Sequence, residues 1–395
     1  MIFLRFFALF DKKLYIATVA LMFISLVLVY SLSLFATVHF DASEFVFFRK
    51  QFISVLISLF LLTFVGHMNP YKMFTPLGKL IFFGSFIAIV AMLFLPSSLV
   101  TEVLGAKRWI RFGPLSIAPT EFLKYGFVFF IAWVLSNKYE QLHNTKSAFK
   151  QTIILFPTFI VLLFATAIIA IGQKDLGQVV VLFGLLMTLL FLVGISKNFF
   201  ITMILAGISG FIVLIKIAPH RIDRIKGWWV GIQDGILAIL PSSIADSLRV
   251  TDRVASLNVK NSIDAINNGG VFGQGLGNGQ FKLGYLSEVH TDFVLSGLSE
   301  ELGYIGLVAI VGLLFYIVYR IFDIANKLDD IKEKLFAYGV GIVISLEFLI
   351  NAYGVSGLIP IKGIAVPMLS YGGSQLMATS LGIAMVLMLS RKENI

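Results

Sequence analysis

Cysteine is absent from the chain, which excludes disulfides, zinc–thiolate sites, iron–sulfur clusters and a cysteine nucleophile. Charge is scarce: 13% of the residues are Asp, Glu, Lys or Arg, about half the share of an ordinary globular chain. No cleavable signal peptide is evident, because the first apolar run, 14–36, is too long and lacks a small-residue cleavage site. No nucleic-acid-binding motif accompanies the net charge of +9, so its Lys and Arg fit membrane topology and anionic headgroups. Internal repeats, low-complexity tails and a second domain are also missing.

What is present is apolar. Residues of the AVILMFWYC set make up 58% of the 395 positions, 39 of them Phe. One water-soluble core cannot absorb that surface, whereas lipid can. Apolar runs long enough to span fall near 14–36, 51–66, 78–95, 119–136, 152–171, 177–194, 199–217, 292–319, 335–355 and 364–389. The expected fold is an all-α integral membrane protein of about ten transmembrane helices, a single polytopic domain over 1–395. Short loops on one side, with both termini, are richer in Lys and Arg, from Arg5 to Lys392; those on the other hold fewer, among them Lys107, Arg108, Arg111 and Lys362. This bias places both termini in the cytoplasm. The long segment 218–291 then lies outside, and its Ile, Leu and Val suggest parts that rest on the membrane.

Ionisable residues near membrane depth are costly and mark function by default. Four clusters stand out. Lys107, Arg108, Trp109 and Arg111 precede Pro119-Thr120-Glu121-Phe122-Leu123-Lys124, where Thr120 is an expected helix cap and Glu121 and Lys124 share a face at i, i+3. These cations suit phosphate and the indole suits a sugar; interfacial anchoring accounts for them equally well. Gly172-Gln173-Lys174-Asp175-Leu176-Gly177 reads as a tight turn, most simply a solvated one. Asn268-Gly269-Gly270-Val271-Phe272-Gly273-Gln274-Gly275-Leu276-Gly277-Asn278-Gly279 fits no phosphate-loop pattern and suggests a backbone that packs closely or approaches a ligand. After it come Glu288, His290 and Asp292 at the start of a span, with Glu300 and Glu301 further along. Their i, i+2, i+4 spacing fits no familiar metal pattern, and no metal site is expected. Pro367-Met368-Leu369-Ser370-Tyr371-Gly372-Gly373-Ser374 interrupts the last span, as small-residue packing or as a cavity lining.

Taken in order, these clusters resemble the SEDS family (shape, elongation, division and sporulation). The carrying residues are Lys107 to Gly113, Pro119 to Lys124, Lys174 to Gly177, Gly269 to Gly275, Glu288 to Phe293 and Leu369 to Ser374. Lys174, Ser287 and Gln375 depart from the usual pattern, and none of the three removes an ionisable residue. The resemblance implies a glycosyltransferase that polymerises lipid II into peptidoglycan on the outer face of the cytoplasmic (inner) membrane. It implies as partners the undecaprenyl-pyrophosphate-linked glycan, a class B penicillin-binding protein and other division or elongation complex proteins. Gly275 to Gly279 running into Tyr285-Leu286 is more similar to the division branch than to the elongation branch. Asp292 is implied to be required for catalysis, and a base that takes the acceptor hydroxyl proton is the role its chemistry suits. The expected substrate-binding residues are Lys107, Arg108, Trp109, Arg111, Glu121, Lys124, Glu288, His290, Ser370 and Ser374. No cofactor is identified; a divalent cation accompanying the substrate pyrophosphate fits the chemistry. The competing readings are an elongation polymerase, a transporter that flips lipid II, and a non-catalytic scaffold.

Overall fold

The computed structural model describes residues 10–39, 45–96, 98–103, 106–112, 115–217, 219–250, 257–360 and 363–392. Arg5, Gly113, Pro114 and Lys362 lie outside them. The elements in chain order are α1 (Lys12–His39), α2 (Val46–Gly66), α3 (Pro70–Phe94), β1 (Val100–Val103), β2 (Ala106–Phe112), β3 (Leu115–Ile117), α4 (Pro119–Asn137), α5 (Tyr139–His143), α6 (Ala148–Ala167) with a π-helical turn Ile168–Gly172, α7 (Leu176–Val193), α8 (Lys197–Lys216), α9 (Pro219–Leu237), α10 (Ser242–Leu248), α11 (Leu257–Gly269), α12 (Val294–Lys327), α13 (Ile331–Val355) and α14 (Gly373–Ser390).

Among the described residues, nine helices are long and apolar enough to cross a membrane: α1, α2, α3, α6 with its π turn, α7, α8, α12, α13 and α14. The tenth expected span corresponds to α4. Its first two turns carry Glu121 and Lys124, which lower its hydropathy although it lies at the centre of the bundle. Local signals set several helix starts. Asn69 accepts from the Tyr71 amide ahead of Pro70, Asp175 from that of Gln178, and Asp330 from that of Glu333, each satisfying an orphan donor. Gly194 ends α7 in the left-handed region, at φ 78°.

The core gathers around α14, which is buried along its length and packs on α2 and α4. Small residues permit these approaches. A Cβ at Gly126 of α4 would lie 2.6 Å from the Phe82 Cα of α3, and one at Gly382 would meet the Tyr125 ring. By contrast, α8 buries only Phe199, so its other faces suit lipid.

Three sequence expectations change in detail. Strands β1, β2 and β3 form a three-stranded antiparallel sheet, with Val100 opposite Ile110 and Ile110 opposite Ile117. It adds a small β element to an otherwise helical fold. The last span is shorter than 364–389: its helix begins at Gly373, and 363–372 is irregular backbone. Segment 218–291 carries three helices, α9, α10 and α11, and the turn after it delays the eighth span to Val294.

Within α12 the helix breaks at Gly303, with φ 69° and ψ −173°. The glycine-rich segment fills this break. Gln274 and Gly275 amides donate to the carbonyls of Glu300 and Glu301 at 2.9 Å each. In return the Tyr304 and Ile305 amides donate to Gly270 and Val271 carbonyls, at 2.9 and 3.2 Å. A Cβ at Gly269 would lie 1.9 Å from the Ser299 carbonyl oxygen, and one at Gly273 2.3 Å from that of Glu301. Close backbone packing is therefore the reason for these glycines.

Candidate active site

One end of the bundle holds a cavity of about 940 Å³. Arg108, Trp109, Glu121, Asp175, Arg224 and Asp292 all line it. They come from strand β2, helix α4, the turn before α7, helix α9 and the turn before α12.

Strand β2 delivers Arg108, whose Nε donates to the Gln173 carbonyl at 2.9 Å and whose Nη2 donates to that of Lys174 at 3.1 Å. Its guanidinium stands 3.9 Å from the Asp175 carboxylate. The turn between α6 and α7 places Asp175 as the α7 N-cap, with Lys174 at φ 52°. This turn is therefore part of the cavity wall, not a merely solvated loop. Burial pushes the Asp175 carboxyl above its usual range, against Arg108 and the Gln178 N–H.

Asp292 sits in a turn just before Phe293, the α12 N-cap. Its amide donates to the Glu288 carbonyl at 3.1 Å, and Glu288 holds φ 57°. Asn351 of α13 clamps the turn, donating to the carbonyls of Asp292 and Ile364 at 2.7 Å each. Among the described residues the Asp292 carboxylate has no hydrogen-bond or ion-pair partner within the protein, leaving it open to the cavity. Burial, then the carboxylates of Glu288 and Asp175, push it up to about 6, while Arg224 and Arg108 oppose them. A carboxylate in that range is ionised at neutral pH yet basic enough to accept a proton.

Beneath the floor lies a buried charge cluster. Lys124 has Glu121 of its own helix at 2.7 Å and Glu347 of α13 in direct hydrogen bond. Glu121 also accepts from Gln178 at 3.0 Å. Thr120 is not the α4 cap; that position is Ala118, and the Thr120 hydroxyl donates to the Gln173 side chain at 2.5 Å.

Of the expected site residues, Arg108, Trp109, Glu121, Glu288, Asp292 and Ser374 come together at the cavity. Ser374 also ties the wall, accepting from the Ala118 amide at 2.9 Å and donating to the Ser116 carbonyl at 3.1 Å. The other five lie elsewhere. Lys107 caps the end of α3 through the Leu93 and Leu95 carbonyls. Arg111 donates to the Thr101 hydroxyl. Lys124 is sealed below the floor with no exposed surface. His290 is buried against the rings of Phe47 and Tyr371, and burial lowers its pKa against the pull of Glu288. Ser370 bridges backbone, donating to the Thr291 carbonyl at 2.6 Å and accepting from Val366 at 2.9 Å.

Sequence reasoning missed Arg221 and Arg224. Both come from α9 and line the cavity. Arg221 is anchored to the Leu214 and Ala170 carbonyls at 2.5 and 2.7 Å, which docks α9 against α8 and the π turn. Two arginines three residues apart on an amphipathic helix were the available signal. Among the described residues no three His, Asp or Glu side chains converge as a metal site.

The FtsW, RodA and SpoVE family model, described as cell cycle protein, matches residues 12–395. The chain belongs to this family. It is 42% identical over 383 residues to a Helicobacter pylori protein named probable peptidoglycan glycosyltransferase FtsW, covering 96% of this chain and 98% of that one. It is 32% identical to the Bacillus subtilis stage V sporulation protein E, covering 96% and 97%. A chain of a solved peptidoglycan synthase complex shares the fold, with a TM-score of 0.69 at 21% identity over 97% of this chain and 98% of that one. Within the FtsW, RodA and SpoVE frame, the motifs around Arg108, Glu121, Asp175, Asp292 and Ser374 contribute to the cavity, whereas the glycine-rich motif packs against the break in α12.

Proposed function

We propose that the chain is a peptidoglycan glycosyltransferase that polymerises lipid II on the outer face of the cytoplasmic membrane, in septal synthesis at division. The observation that carries this reading is the meeting of Asp292, with an open and weakly acidic carboxyl, and Arg108 and Arg224 in one cavity. Asp292 takes the proton of the acceptor hydroxyl as its oxygen attacks the anomeric carbon of the donor sugar. The bond to the donor's pyrophosphate breaks, and its electron pair leaves with undecaprenyl pyrophosphate. Arg108 and Arg224 hold the departing charge, for which a planar guanidinium fork is suited. Trp109 offers a face for a sugar ring. Glu121 and Gln178 form a polar floor, with Lys124 and Glu347 setting its charge from below. A leaving group this good needs no second catalytic acid, unlike the paired carboxylates of glycoside hydrolysis.

The Lys and Arg bias of the short loops supports cytoplasmic termini and an external cavity. The FtsW name of similar proteins supports the division role. The solved neighbour's place in a synthase complex supports a class B penicillin-binding protein as partner. Charge placement separates polymerisation from lipid transport. The cavity's groups lie at one end, while Asp11, Arg320 and Asp323, and likewise Glu333 and Lys392, pair among themselves elsewhere. Proteoliposomes carrying lipid II test the difference. Glycan polymer without net translocation is expected, and translocation without polymer would replace this reading by a transporter.

A further inference from the structure

We propose that residues 270–276 form a re-entrant loop immersed in the bilayer leaflet on the cavity side, lying against the lipid face of α12. The first observation is its register. The Tyr304 and Ile305 amides bond the Gly270 and Val271 carbonyls, so the loop runs beside the span at that level. From Tyr304 to Tyr319 α12 carries no charged residue, and Arg320, paired with Asp11 and Asp323, marks the opposite surface. At 1.5 Å per residue Tyr304 stands about 24 Å from Arg320, inside a hydrocarbon layer of about 30 Å.

The second observation is polarity, arranged inside out. The loop's polar backbone turns towards α12. Gln274 and Gly275 amides are taken by the Glu300 and Glu301 carbonyls. The Glu300 carboxylate accepts from the Gln280 and Phe281 amides and the Asn268 side chain. Glu301 is paired with Lys282 and the Ser31 hydroxyl. Irregular backbone survives at membrane depth only when its groups are satisfied in this way. The apolar side chains turn away from the protein: Phe272 is 83% exposed, and Val271 and Leu276 are exposed beside Tyr304 and Ile305 of the span. From Ala265 to Phe281 the chain has no Asp, Glu, Lys, Arg or His. A water-facing loop of that length with an exposed Phe would be a liability, whereas a lipid-facing one is at home. The occupant of this face is therefore lipid. The inference does not depend on the chemistry of the cavity.

The absence of native cysteine makes the test direct. Phe272→Cys and, separately, Leu276→Cys are labelled with an environment-sensitive nitrobenzoxadiazole in proteoliposomes, with Ser243→Cys as the exposed control. Blue-shifted emission at 272 and 276 is expected, quenched more by phospholipid nitroxides near the headgroup than at the chain end. The control should emit as in water and lose no intensity to either quencher. Water-like emission at both loop sites would overturn the proposal. So would blue-shifted emission insensitive to lipid nitroxides, which would mean that protein covers the face.

Discussion

Replacing Asp292 by asparagine separates the cost of this residue to the fold from its use in catalysis. Its carboxyl titrates at about 6 in the folded protein against 3.8 for the free group, chiefly through burial and the neighbouring Glu288 and Asp175. At about pH 3 and below, folded and unfolded states are both largely protonated, and the group contributes almost nothing. As pH rises from 4 to 6 the unfolded state releases its proton first, so the folded state loses stability; above 6 the full cost is present. That cost is at most about 3 kcal/mol, and partial solvent screening reduces it to about 1–2 kcal/mol. Asn has the same shape and no charge. Asp292→Asn should therefore melt higher than the parent at pH 8 in detergent, with the gain shrinking as pH falls through 6 and vanishing by about pH 3. The same variant should lose glycan synthesis by about 10²–10⁴-fold, and the parent's activity should fall as pH drops below 6. A variant that melts lower than the parent at pH 8, or keeps near-normal synthesis, would refute the reasoning.

Arg108→Ala and Arg224→Ala should each raise KM for lipid II by about tenfold or more, whereas Arg111→Ala should leave turnover near normal; equal loss in all three would show that interfacial anchoring is being measured. Lys124→Met strands the buried Glu347 and the half-buried Glu121 and should cost about 3–5 kcal/mol, read as lower melting temperature and expression; an unchanged melting curve would mean that the cluster is not closed. Gly273 has φ 80° and a carbonyl where a Cβ would sit, so Gly273→Ala should destabilise by about 2–3 kcal/mol. Single cysteines at Ser243 and Ser356 should react with an impermeant maleimide in intact cells, and those at Ser147 and Ser196 only after permeabilisation; the reverse pattern would put Asp292 in the cytoplasm.

The spans were legible because apolar length is read directly against bilayer thickness. Asp292, Arg108 and Trp109 were legible because polar groups flanking a span are rare and clustered. The cavity's composition was not, because distance along the chain hides who faces whom. Glu347 meets Lys124 across 223 positions, and Arg224 arrives on a helix inside a segment whose periodicity alone gives no docking site. Arg111 and Lys107 stand beside Arg108 in sequence, yet the strand and its turns send them to Thr101 and to the end of α3. The sheet escaped notice since its three strands are short and lie between stronger helical signals. The glycines announced close packing without naming the partner, which proved to be the break at Gly303.

The central claim is that the cavity joins sugars and releases a lipid pyrophosphate. Purified protein in detergent, supplied with labelled lipid II at pH 7.5 and resolved on a gel, tests it most directly. Glycan ladders from the parent, with none above background from Asp292→Asn of equal folding, are predicted. Lipid II left unpolymerised by the well-folded parent, with the proposed class B penicillin-binding protein partner added, would contradict the account.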